Sequence, residues 1–124
     1  MTHSEQFKLK YNKEQRSAES GRILQKYPDK IPIICEKYER DKSEFKLDKS
    51  KFLTNNDMTM GQFMYVIRKR VKIDSKQALF MFCNNTLVPG NMMLNEVYNN
   101  HKDEDGFLYI QFSLENTFGF LSYQ

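Results

Sequence analysis

Few residues of this chain could serve as nucleophiles or acid–base groups. There are two cysteines, Cys35 and Cys83, and two histidines, His3 and His101. A cysteine enzyme needs a thiolate beside a base. Both cysteines instead sit inside apolar runs, Ile33-Ile-Cys35 and Phe80-Met-Phe-Cys83, where burial would raise the thiol pKa. Neither histidine has a partner at metal-ligand spacing. These groups read as buried thiols and surface imidazoles, and no catalytic residue, metal or cofactor is expected. Asn84-Asn-Thr86 matches a glycosylation acceptor, which a cytosolic chain would never use.

Gly119 suggests a different chemistry, that of a substrate. It ends the stretch Gly106-Phe-Leu-Tyr-Ile-Gln-Phe-Ser-Leu-Glu-Asn-Thr-Phe-Gly119 and precedes a tail, Phe120-Leu-Ser-Tyr-Gln124. Leu108, Ile110 and Phe112 alternate with Tyr109, Gln111 and Ser113, the period of a core strand. Beyond Leu114 the alternation stops, and Glu115-Asn-Thr-Phe118 is a polar, turn-prone exit expected to be mobile. Lacking a Cβ, Gly119 lets the backbone pass through a narrow slot, as a protease cutting between it and the tail or an enzyme activating its carboxylate would need. Taken alone, the glycine is better explained by a frayed terminus. The order strand, arm, glycine, dispensable tail is nevertheless that of a tag trimmed and then joined to something else.

The remainder of the chain must supply the frame. At 124 residues, with 40% hydrophobic and 28% charged residues, it is expected to form one domain with a core that needs neither disulfide nor metal. A net charge of +3 is too mild to argue for nucleic acid. The first residues lack a secretory pattern and no run approaches a membrane span. A cytoplasmic location is expected.

Ser4 to Tyr27 reads as helical, broken at Asn12 or Ser17, and ends at Pro28. Lys30 to Lys37 reads as a strand, Tyr38 to Lys46 as a loop, and Leu47 to Thr54 as a second strand forming an antiparallel hairpin with the first. Thr59 and Gln62 make a capping box. The helix they begin, Met60 to Arg70, places Met60, Phe63, Met64, Ile67 and Val71 on one face and ends in Arg68-Lys-Arg70. Lys76 to Cys83 is a strand apolar on both faces and needs cover on both. The helix from Met60 is assigned to one face and the N-terminal helices to the other. A short helix at Met93–Tyr98, a solvated turn at His101–Gly106 and the final strand complete the order. Hairpin, crossing helix and two more strands is the layout of a ubiquitin-like β-grasp, an α+β fold with a four-stranded mixed sheet, here with two additional N-terminal helices.

Several long blocks carry a more specific signal: Lys26-Tyr-Pro-Asp-Lys-Ile-Pro32, Met60-Gly-Gln-Phe-Met-Tyr-Val-Ile-Arg-Lys-Arg70, Ala78-Leu-Phe-Met-Phe-Cys-Asn-Asn85, His101-Lys-Asp-Glu-Asp-Gly-Phe-Leu-Tyr109 and Glu115-Asn-Thr-Phe-Gly119. Together they resemble the autophagy ubiquitin-like modifiers, the family of GABARAP and the microtubule-associated-protein light chains, from about Lys13 to Gly119. The resemblance implies an N-terminal helical extension over residues 1–28, a β-grasp core and arm over 29–119, and a tail, 120–124, removed by a cysteine protease cutting after Phe118-Gly119. It further implies that activating and conjugating enzymes pass the Gly119 carboxylate to the amine of phosphatidylethanolamine. The protein would then sit on the autophagosome membrane, anchored by two acyl chains.

The resemblance also implies capture of cargo receptors through aromatic-x-x-aliphatic peptides that add to the second strand. By match to the family, the aromatic pocket comprises Glu19, Ile23, Pro32, Lys51, Leu53 and Phe107. The aliphatic pocket comprises Phe52, Thr54, Met58, Phe63 and Val66. Lys49, Lys51 and Arg70 meet the peptide's acidic residues. Thr54 and Asn55 replace an aliphatic residue and a proline common in the family, which makes the second pocket more polar. The basic residues Lys8, Lys10, Lys13 and Arg16 read first as a solvated helix face and second as a contact for microtubules or anionic lipid. The expected protein is a monomer. The competing reading is a β-grasp peptide adaptor that is never conjugated.

Overall fold

Asn12 divides the N-terminal helical stretch. In the computed structural model, which describes residues 6–114, α1 (Phe7–Lys10) ends before it and α2 (Lys13–Lys26) begins after it. The Asn12 side chain accepts from the Gln15 N–H while Gln15 reaches back to the Asn12 N–H, so two orphan donors of the helix start are satisfied. Next come β1 (Lys30–Lys37), β2 (Lys51–Asn55), α3 (Met60–Val71), β3 (Phe80–Cys83), β4 (Thr86–Leu87), α4 (Leu94–His101) and β5 (Leu108–Ser113). The Thr59–Gln62 capping box opens α3 as expected. Arg68, Lys69 and Arg70 lie in its last turn.

The strands form one mixed sheet in the order β2-β1-β5-β3-β4. β1 pairs antiparallel with β2 and parallel with β5. To the four expected strands the structure adds the two-residue β4, folded back on β3 through Asn84 and Asn85, both at positive φ. Asparagine is among the side chains that tolerate this conformation, which a tight hairpin turn needs.

Alternation along β1 sorts the core into two layers. Ile31, Ile33 and Cys35 face α3 with Met60, Phe63, Ile67, Leu108, Ile110 and Phe112, whereas Ile34 faces the N-terminal helices with Phe7 and Phe107. The helices thus cover both faces, but α1 and α2 lie over β1 and β5, not over β3 as the sequence suggested. On β3, Leu79, Met81 and Cys83 join the α3-side core, and Phe82 meets the Tyr38 ring at 6.3 Å on the other side. Two strands are shorter than expected. Leu47 packs on the core without entering the ladder, and residues 76–79 precede β3 as turn, bend and irregular chain.

The turn before β5 also departs from expectation. Asp105, read as solvated, is buried. It accepts from Arg16 Nε at 2.8 Å, Tyr109 Oη at 2.5 Å and the Phe107 N–H at 2.9 Å. Ser20 Oγ donates to its carbonyl. Gly106 follows at φ +92°, and a Cβ there would collide with Ser20. The α2 helix can approach the turn only because that residue is glycine.

Candidate functional site

β2 is an edge strand: β1 occupies one side, and the other has no strand among the described residues. An edge of this kind offers unpaired backbone groups to an incoming extended segment. Alternation along β2 sends its side chains to opposite sides of the sheet. Lys51 turns toward α2, where its Nζ meets Glu19 Oε2 at 2.6 Å. Leu53, opposite Pro32 in register, is 42% exposed. Ile23 packs against the cluster of Phe7, Ile34 and Phe107, in which the buried Phe107 touches the Phe7 ring edge-on at 5.2 Å. Glu19, Ile23, Pro32, Lys51, Leu53 and Phe107 are therefore brought to one side of the edge, Phe107 buried and Leu53 exposed.

Phe52 and Thr54 lie on the opposite side. The Phe52 ring stands perpendicular to Phe63 of α3 at 5.5 Å, and Met58 packs against the same core. Val66 follows Phe63 one turn along α3 and is partly exposed. Thr54 is buried, and its Oγ1 has no hydrogen-bond partner. Two cations rest on Phe52: Lys49 Nζ at 4.8 Å and the Arg70 guanidinium at 5.9 Å from the ring centroid. Arg70 also forks onto Asp48 at 3.0 and 3.1 Å. Its guanidinium holds the Asp48 carboxyl below the usual range.

Lys51 and Arg70 are already engaged by Glu19 and Asp48. Any acidic group approaching this edge would have to exchange places with those carboxylates. Neither Asp48 nor Asp105 was among the candidate site residues of the sequence reading. Asp48 is 22 residues from Arg70, with no local spacing to betray the pair, and Asp105 was hidden in an acidic run. Three residues of the basic face of the N-terminal helices are likewise engaged: Lys8 with Asp103, Lys13 with Glu104 and Arg16 with Asp105, at 2.7 to 2.8 Å.

Cys35 and Cys83 are buried thiols. Burial pushes Cys35 well up and Cys83 to about 12, the reverse of activation. Gly119, Phe118 and the tail 120–124 lie outside the described residues.

The family described as "Autophagy protein Atg8 ubiquitin like" matches residues 15–119. This chain belongs to the Atg8 family. Autophagy-related protein 8e of Arabidopsis thaliana is 51% identical over 113 residues, covering 91% of this chain and 92% of the relative. Autophagy-related protein 8 of Schizosaccharomyces pombe is 51% identical over 115 residues, covering 92% and 93%. The crystal structure of Trypanosoma brucei ATG8 superposes with a TM-score of 0.81 at 39% identity, covering 87% of this chain and 92% of that one. The α+β ubiquitin-like β-grasp is thus shared with an Atg8 solved by experiment. Among the described residues, no helix is long and apolar enough to cross a membrane.

Proposed function

We propose that this Atg8-family chain is a ubiquitin-like modifier of autophagy, trimmed to Gly119, conjugated to phosphatidylethanolamine and used on the autophagosome membrane to recruit cargo receptors. It is a substrate of the pathway's enzymes and contributes no catalytic residue. Hydrolysis of the Gly119–Phe120 bond frees the Gly119 carboxylate. After adenylation, an enzyme thiolate displaces AMP to give a thioester, and the lipid amine displaces the thiolate to give an amide. Two acyl chains then hold a protein that needs no spanning helix of its own.

The observation that carries the docking half is the open edge of β2, with Lys51 and Leu53 turned to one side and Phe52 and Thr54 to the other. An extended peptide pairing there would drop alternate side chains on both sides, its aromatic residue toward Phe107 and its aliphatic one toward Phe63. The family match reaching residue 119 supports the conjugation half.

Intact mass of the protein from soluble and membrane fractions tests the reading. The expected result is a soluble form lacking residues 120–124 and a membrane form heavier by one phospholipid. An intact tail in both fractions would leave the unconjugated adaptor. Gly119→Ala is expected to abolish the membrane form without affecting peptide affinity. Leu53→Ala is expected to do the opposite, weakening docking about tenfold while conjugation proceeds.

A further inference from the structure

The C-terminal end of β5 is held by side chains standing where neighbouring strands would be. The β1–β5 ladder ends at Lys37 opposite Phe112, with the Tyr38 N–H donating to the Phe112 carbonyl at 2.8 Å. The β3–β5 ladder ends at Phe80 opposite Ser113. A strand losing both neighbours would ordinarily fray. Instead, the Leu114 N–H donates to Asp41 Oδ2 at 2.6 Å and Ser113 Oγ to the same oxygen at 3.0 Å. From the β3 side, Gln77 Nε2 donates to the Leu114 carbonyl at 3.4 Å, and the Leu114 side chain is buried.

Both holding residues are themselves fixed. Asp41 is only 7% exposed. Its Oδ1 accepts from the Ser43 N–H at 2.7 Å and lies 3.8 Å from Lys37 Nζ, which also donates to the Ser43 carbonyl. The Gln77 carbonyl accepts from Arg68 at 2.7 Å, tying its loop to the end of α3. A buried carboxylate is tolerated only when paired and hydrogen-bonded. An apolar side chain could fill the same space. Only an acceptor can hold the Leu114 N–H, and a charged one holds it with a strong, directional bond.

We propose that Asp41 and Gln77 form a launch clamp for the arm, positioning residues that order the backbone through Leu114 so that Gly119 is presented on a short tether of fixed origin. This rests on the modifier reading above. The residues from Glu115 to Gly119 span at most about 17 Å when extended. An enzyme that grips the folded body and threads the glycine into its site gains from a short, aimed tether through a higher effective concentration. Releasing Ser113 and Leu114 lengthens and misdirects the tether. The step after binding slows, while binding of the body is unchanged.

The test is cleavage of the full chain by the family's processing cysteine protease, with amide hydrogen exchange read at Leu114. For Asp41→Ala, kcat for release of residues 120–124 is expected to fall about tenfold, and for Asp41→Asn, which retains an acceptor, about threefold. KM and β2 peptide affinity should stay within about twofold, and exchange at Leu114 should accelerate at least about tenfold. Gln77→Ala, at a partly exposed position, carries the same test should the Asp41 variants fail to fold. An unchanged kcat in a variant whose Leu114 amide has lost protection overturns the clamp, as does a lower kcat with protection intact. Wild-type protein left uncleaved at Gly119 overturns the modifier reading and the clamp with it. Normal cleavage of wild type and variants alike overturns the clamp alone.

Discussion

Thr54 is buried, and its Oγ1 has no hydrogen-bond partner. Such a group forfeits its water without compensation. Thr54→Val is therefore expected to stabilise the fold by about 1 kcal/mol, read as a higher urea midpoint at unchanged m-value. At Asp41, burial alone would raise the carboxyl pKa, but hydrogen bonds from Ser43, Leu114 and Ser113 outweigh it and hold the pKa below its ordinary value. The folded state then binds the proton less readily than the unfolded chain. Asp41's contribution is fully present above the ordinary carboxylate pKa of about 3.9 and is lost as pH falls through the lower folded value. Urea unfolding of Asp41→Asn should lose less stability than wild type between about pH 4 and pH 2. Glu36 works in the opposite direction, since burial raises its pKa despite the Phe7 N–H and Lys8.

At the scale of elements, the side of the β2 edge that carries Lys51 and Leu53 depends on how α2 is fastened. Arg16 and Asp105 are both nearly buried, and loss of one partner strands the other. Asp105→Asn is expected to cost about 3 kcal/mol and to raise amide exchange along α2, with little sensitivity to salt. Lys8–Asp103 and Lys13–Glu104 are more exposed, and salt should screen them. Elements set by local chemistry were legible in the sequence: the α3 capping box, a break in the N-terminal helical stretch, which the structure places at Asn12 and not at Ser17, and β1 from Lys30 to Lys37. Asn84-Asn85 was legible as a turn, but Thr86–Leu87 is too short to show a period. Leu47 was misassigned because core packing and strand pairing demand the same apolar residue. Within β2, alternation alone separates Lys51 and Leu53 from Phe52 and Thr54. Glu19, Ile23 and Phe107, remote in sequence, join that strand only through the tertiary fold, and only the family resemblance suggested them.

At the scale of the whole molecule, β1 and β5 are far apart in sequence yet lie side by side at the centre of the sheet, parallel, from Ile33 opposite Leu108 to Lys37 opposite Phe112. The core cannot close until both are in place, so this contact forms at high loop-closure cost. The arrangement has a mechanical consequence. With the arm tethered and an object held along β2, tension along the strands loads the β1–β5 pairs in shear, and they must yield together. The antiparallel β3–β4 pair, with only two partnered positions, would peel open stepwise. Pulled by single-molecule force spectroscopy between residue 114 and Leu53, the protein should rupture at higher force than when pulled between residue 114 and Leu87. The sheet would thus serve as a stiff coupling, transmitting tension between the β2 edge and the end of β5 without first coming apart.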